Sequence, residues 1–132
     1  MLNEIKPIDK ESNDIAYQVV DSAFKVHKSL GPGLLESVYE VCLYHELQKR
    51  GLKAKRQINV PVVYDNIKFD VGFRLDLLVE DKVIVEIKAV DDMNPVFEAQ
   101  ILTYLKLTGI RLGLLINFNT PLIKKGVKRI IL

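Results

Sequence analysis

The chain has 132 residues, 48% hydrophobic and 27% charged, with a formal net charge of +2 and a mean hydropathy of +0.11. That length can bury a real core without disulfides or structural zinc, so one domain spanning residues 1–132 is expected. The lone Cys42 has no bridging or ligand-spaced partner, no apolar run approaches the roughly 18 residues of a membrane span, and the polar start MLNEIKPIDKESND is unlike a signal peptide; the reading is a cytoplasmic protein.

Ile15, Val19, Ala23, Val26 and Leu30 recur at helical spacing before Gly31-Pro32-Gly33, which predicts an amphipathic helix over 12–30. A second helix is expected from about Leu35 to Arg50, closed by Gly51, with Val38, Cys42 and Leu47 among its inward positions. Ile58, Val60, Val62 and Tyr64 alternate with more polar neighbours, the period of a half-buried strand, and Pro61 predicts an edge position. Asp65-Asn66 reads as a tight turn into a strand from about Ile67 to Val79, with Gly72 marking a bulge. Glu80 to Lys82 form the next turn, and Val83 to Ala89 is the return strand.

Within this hairpin, positions 75, 77, 79, 83, 85 and 87 are all Leu, Val or Ile, so the odd positions are expected to line one buried face. Asp76, Glu86 and Lys88 then share the other face, and a three-residue loop sets Asp76 opposite Glu86. Two opposed carboxylates repel unless a cation or a proton lies between them. A Mg²⁺ or Mn²⁺ site built from Asp76, Glu86 and a backbone carbonyl fits, because hard cations take oxygen ligands and keep positions for water and phosphate. Lys88 is placed to orient the attacking water or to offset charge growing on the phosphorane. A Glu and a Lys two apart on a strand is also an ordinary surface ion pair, so the spacing alone leaves both readings open.

Further along, Asn94 is a good N-cap, Pro95 suits the first helical position and Glu98 matches the helix dipole, predicting a third helix to about Leu107, stopped by Gly109. Gln100 and Tyr104 lie four apart on one face of it. The run LGLLINF from Leu112 reads as a strand buried on both faces, and a last short strand, Val127 to Leu132, follows the Lys124-Lys125-Gly126 turn. The order helix, helix, three strands, helix, two strands is that of an α/β or α+β sheet flanked by helices.

Gly33-Leu34-Leu35-Glu36-Ser37-Val38-Tyr39 matches the signature of the GxxExxY family, and Arg74-Leu75-Asp76, Glu86-Ile87-Lys88, Gln100 with Tyr104, and Asn117-Phe118 resemble the same family in the same order. The resemblance covers nearly the whole chain from about Ile15. That family is placed in the PD-(D/E)XK nuclease superfamily, so the resemblance implies a restriction-endonuclease-like core, a central mixed β-sheet flanked by helices. It further implies metal-dependent hydrolysis of phosphodiester bonds in DNA or RNA. Asp76 and Glu86 correspond to the metal-binding acids and Lys88 to the catalytic lysine, while Gln100 and Tyr104 resemble the Gln-x3-Tyr helix motif of RecB-like nucleases. Leu75 stands where the superfamily's name has proline.

Other positions carry two readings each. Glu36, in a first helical turn, either favours the helix dipole or reaches across as a further metal ligand, as the equivalent helix acid does in related nucleases. Tyr39 reads as a packed aromatic with a hydroxyl partner, His27 as a structural residue near a helix end, and His45 as surface. Gln100 and Tyr104 are expected to hydrogen-bond Lys88, a catalytic carboxylate or a phosphate. Arg74 is placed to contact phosphate or to pair with Asp76 or Glu86. Lys124 and Lys125 form either a solvated face or a phosphate-contacting edge, and Asn117 is a turn residue or an accessory polar group. The alternative to an enzyme is a catalytically inactive module of the same fold that binds nucleic acid or a protein partner; a third is a purely structural domain. The edge strand Ile58 to Tyr64 also leaves room for a homodimer.

Overall fold

The computed structural model describes residues 6–132. Asp9 opens the first helix: its carboxylate accepts from the Ser12 N–H at 3.0 Å and from Ser12 Oγ at 2.8 Å, which holds its carboxyl below the ordinary value. From there α1 (Lys10–Leu30) runs to Gly31, burying Ile15, Ala16, Val19, Ala23 and Val26 along one stripe. The second helix, α2 (Glu36–Lys49), is rotated from the expected phase. Its buried positions are Tyr39, Glu40, Leu43 and Leu47, whereas Val38 is exposed and Cys42 half-buried. The large Tyr39 ring sets that rotation by stacking on Phe118 at 4.5 Å between centroids.

Five strands follow: β1 (Ala54–Tyr64), β2 (Ile67–Val79), β3 (Val83–Lys88), β4 (Leu112–Asn117) and β5 (Val127–Ile131), with α3 (Pro95–Thr108) between β3 and β4. They form one mixed sheet in the order β1-β2-β3-β4-β5. Only β3 and β4 are parallel, joined through α3 as a crossover connection requires. Pro61 lies on the edge strand β1, beside a register shift, the setting in which a sheet tolerates a residue without an N–H. Asp65 and Asn66 both have positive φ, 53° and 61°, as a two-residue primed hairpin turn demands. Gly72 sits at a register shift opposite Pro61, where an added Cβ would lie 2.0 Å from the Val60 carbonyl oxygen. Tyr64, expected to be half-buried, is exposed beside the hairpin turn.

Helices cover both faces of the sheet. Leu77, Val79, Val83, Val85, Ile87, Leu112, Leu114 and Ile116 pack against α1 and α2. Ile84, Leu115 and Ile130 pack against Ile101, Tyr104 and Leu105 of α3. The architecture is the mixed sheet flanked by helices that the resemblance implies.

Leu75 corrects the expected parity. It packs with Ile84 and the α3 residues, on the face opposite Leu77 and Val79. The switch falls at Asp76 and its neighbour across the strand, Gln57. Pairing passes from Ile58↔Leu75 to Arg56↔Leu77 with no pair between, and Gln57 has a φ of 52°. Buried Glu40 on α2 secures this kink, accepting from Gln57 Nε2 and from Arg56 Nη2 at 3.1 Å.

Candidate functional site

The sequence supplies β3 with apolar residues on both sides because the strand runs between β2 and β4 with helices above and below. Glu86 therefore sits in the middle of a layer meant for Val and Ile, paired with Leu115 of β4 and only 4% exposed. Its neighbour across the hairpin is Asp76. The β2–β3 backbone ladder runs from Val79↔Val83 to Leu77↔Val85, and there side chains take over. The Asp76 N–H donates to Glu86 Oε1 at 3.2 Å, and the Ile87 N–H donates to Asp76 Oδ2 at 2.9 Å. The three-residue loop Glu80–Lys82 thus sets Asp76 opposite Glu86.

The electrostatics follow from this placement. Burial, then the nearby Asp76 charge and a side-chain hydrogen bond to Asp76, push the Glu86 carboxyl up to about 9, and the Lys88 charge offsets this only weakly. Among the described residues neither Asp76 nor Glu86 has a Lys or Arg in ion-pair contact. The Tyr104 hydroxyl is also shifted up, by burial first and then by the charges of Glu86 and Asp76. Its ring stacks on Phe73 at 4.3 Å.

Lys88 and the α3 motif depart from expectation in their contacts. The Lys88 ammonium lies over the Phe97 ring, 4.4 Å from its centroid, a cation–π contact that a desolvated phosphate can outcompete. Asn94 caps α3 by accepting from the Val96 N–H at 2.9 Å, and this brings Phe97 into the first turn, above Lys88. Gln100 is exposed and makes no hydrogen bond among the described residues, nor does the Tyr104 hydroxyl. Neither bonds Lys88 or a carboxylate in this arrangement, and of the expected partners a phosphate is the one left to them.

On the α2 side, Glu36 Oε1 accepts from the Ala89 N–H at 3.3 Å, one residue beyond Lys88. Its carboxylate thus reaches the same end of β3, on the backbone and apart from the Asp76–Glu86 pair. Tyr39 explains how the preceding glycine loop delivers it: the hydroxyl donates to the Gly31 carbonyl at 2.6 Å and accepts from the Leu34 N–H at 3.0 Å. Asn117 acts both as a turn residue, its Oδ1 accepting from the Asn119 N–H at 3.1 Å, and as a polar clamp on the neighbouring segment. Its amide grips Val90 at two points, accepting from the N–H at 3.1 Å and donating to the carbonyl at 2.9 Å, so the segment after Lys88 is held beside β4. Sequence reasoning missed Phe97, Glu40 and Gln57. The cap at Asn94 located Phe97 in principle, but nothing local marks Gln57 as the kinked residue.

Arg74 does not pair with the acids; its Nε donates to Asn59 of β1 at 3.2 Å. Lys124 and Lys125 are exposed on a short 3₁₀ turn, Ile123–Gly126. His27 is structural, its Nε2 2.7 Å from the Thr120 carbonyl. Among the described residues no three His, Cys, Asp or Glu side chains cluster tightly enough to hold a metal ion. The donor set nonetheless fits a hard divalent cation. Buried Glu86 and half-buried Asp76 have only each other and backbone N–H groups as partners, Glu86 is kept neutral by its surroundings, and a cation is the natural replacement for that proton. No described helix is long and apolar enough to cross a membrane.

A family model described as the PD-(D/E)XK nuclease superfamily matches residues 13–130. No curated protein and no solved structure matches the chain.

Proposed function

Because the chain belongs to the PD-(D/E)XK nuclease superfamily, whose members are typically metal-dependent, we propose that it is a Mg²⁺- or Mn²⁺-dependent nuclease hydrolysing phosphodiester bonds in DNA or RNA. The observation that carries this reading is the opposed Asp76–Glu86 pair, with Glu86 buried and Lys88 on the same strand as it. The signature Gly33 to Tyr39 supports placing the chain among the GxxExxY proteins, acting as one domain over residues 1–132 in a reducing cytoplasm.

Asp76 and Glu86 would hold the cation, with Glu36 completing the set by exchanging the Ala89 N–H for it. When bound, that cation polarises the phosphoryl oxygen and lowers the pKa of water. Everything else falls to side chains of this chain. Lys88, held over Phe97 by a contact of roughly 0.5–1 kcal/mol, is free to swing to the phosphate and offset its developing charge. Tyr104 closes the α3 side against bulk water, and exposed Gln100 is available to a bound strand. Arg74, Lys124 and Lys125 supply phosphate contacts outside the centre.

The direct test is cleavage of single- and double-stranded DNA and RNA with Mn²⁺, comparing the wild type with Lys88→Ala. Divalent-dependent cleavage by the wild type, reduced at least 100-fold in Lys88→Ala, supports the proposal; equal background cleavage by both removes it. The separation of Glu36 from the acid pair favours a second reading, a catalytically inactive module of this fold. Titration calorimetry with Mn²⁺ separates the two, since only a metal-dependent enzyme requires heat that Asp76→Asn abolishes.

A further inference from the structure

A cleft of about 700 Å³ opens between α1 and the 3₁₀ turn, lined by Asp21, Phe24, Lys25, Lys28, Arg50 and Lys124 together with Pro121 and Leu122. Four cations face one carboxylate here, more positive charge than the +2 of the entire chain. Arg50 is engaged by Asp21, and Lys25 lies 3.9 Å from Glu46. Lys28 and Lys124 have no ion pair among the described residues. Their charges are therefore available to a ligand, and a concave wall concentrates their field. The cleft also offers apolar surface, because Phe24 is 40% and Leu122 59% exposed.

Its position ties it to the site. Phe118 donates its N–H to the Lys88 carbonyl at 2.9 Å, and the Thr120 carbonyl meets His27 beside the cleft. From Phe118 the chain reaches Leu122 in four residues, a span of at most about 14 Å. The Lys88 ammonium points to the α3 side and the cleft lies on the α1 side, so a strand with a phosphate at Lys88 reaches this basic, aromatic wall by passing around the ends of β3 and β4.

Resting on the nucleic-acid reading above, we propose that the cleft binds the flanking segment of a single-stranded substrate, with phosphates on Lys28 and Lys124 and a base stacked on Phe24. A single strand fits better than a duplex. It can splay a base onto an aromatic face beside cations, the combination that single-strand binders use, whereas a duplex keeps its bases stacked inside.

The test is fluorescence anisotropy of a 20-nucleotide single strand in EDTA over a range of salt. Lys28→Gln with Lys124→Gln weakens binding at least tenfold at low salt and makes the salt slope shallower by about 1.4, the release from two phosphates. Phe24→Ala weakens it about tenfold with the slope unchanged. Lys10→Gln with Lys53→Gln removes the same charge at the opposite end of the sheet and leaves both quantities unchanged. An unaltered affinity in the Lys28/Lys124 variant, an equal loss in the control pair, or duplex binding that ignores Phe24 overturns the proposal. So does competition by poly-glutamate matching an oligonucleotide charge for charge, which would mark a site for acidic protein. Because binding is read without metal, the two readings fail separately. Cleft-dependent binding without Mn²⁺-dependent cleavage removes only the nuclease, and cleavage indifferent to these variants removes only the cleft.

Discussion

Replacing Glu86 by Gln should stabilise the metal-free protein, and by an amount that grows with pH. Burial and the Asp76 charge raise the Glu86 carboxyl from 4.5 to about 9. Between those values the folded chain holds a proton that the unfolded chain has released, so the stability of the wild type falls as pH rises. The contribution is fully present below 4.5 and is lost progressively up to about 9. Glutamine mimics the protonated acid and does not titrate. The difference between Glu86→Gln and wild type should therefore widen by about 1.4 kcal/mol per pH unit above 4.5, reaching about 3 kcal/mol more at pH 7 than at acid pH. Urea unfolding followed by far-UV circular dichroism in chelator, at pH 5, 6, 7 and 8, measures that difference while the other titrating groups cancel. Parallel stability profiles for the two proteins would refute the argument, because they would mean that Glu86 ionises as readily in the fold as outside it.

Two further substitutions test the frame around the pair. Tyr39→Phe removes the hydroxyl that bonds the Gly31 carbonyl and the Leu34 N–H, and should cost about 1–2 kcal/mol in urea midpoints while speeding hydrogen exchange at the Leu34 amide. Unchanged exchange there would mean that the glycine loop is held by something else. Gly72→Ala forces a Cβ against the Val60 carbonyl oxygen and should cost about 2 kcal/mol, read from the same unfolding curves; a neutral result would contradict the register shift at Pro61.

Much of the architecture was legible because its signals are local. Gly31, Gly51 and Gly109 end helices, Asn94-Pro95 begins one, and Asp65-Asn66 closes a hairpin, each through the backbone conformation or cap that its own residue provides. The unbroken apolar run from Leu112 to Phe118 likewise announces a strand with no solvent face. The phase of α2 was less accessible. Val38, Cys42 and Tyr39 are all apolar enough to face inward, and the choice is made by a partner in another element, Phe118, 79 positions along the chain.

The carboxylate pair shows why parity succeeds and then fails within one hairpin. Alternation holds wherever the ladder is regular, so Glu86 and Lys88 fall with Ile84 on the α3 side. It breaks at Asp76, where β1 kinks at Gln57 and carries Leu75 to the α3 face while Leu77 stays beneath α1 and α2. A regular β2 would keep Leu75 and Leu77 on one face, turning Asp76 wholly toward the other. The kink instead lets Asp76 Oδ2 lie between strands and take the Ile87 N–H, while its own N–H turns to Glu86. The residue that holds this kink, Glu40, is a buried acid on the helix carrying the glutamate and tyrosine of the signature. One helix therefore presents Glu36 to the end of β3 and, one turn later, fixes the strand distortion that brings Asp76 to Glu86. Those two tasks join positions 36, 40, 57 and 76, which no local periodicity connects.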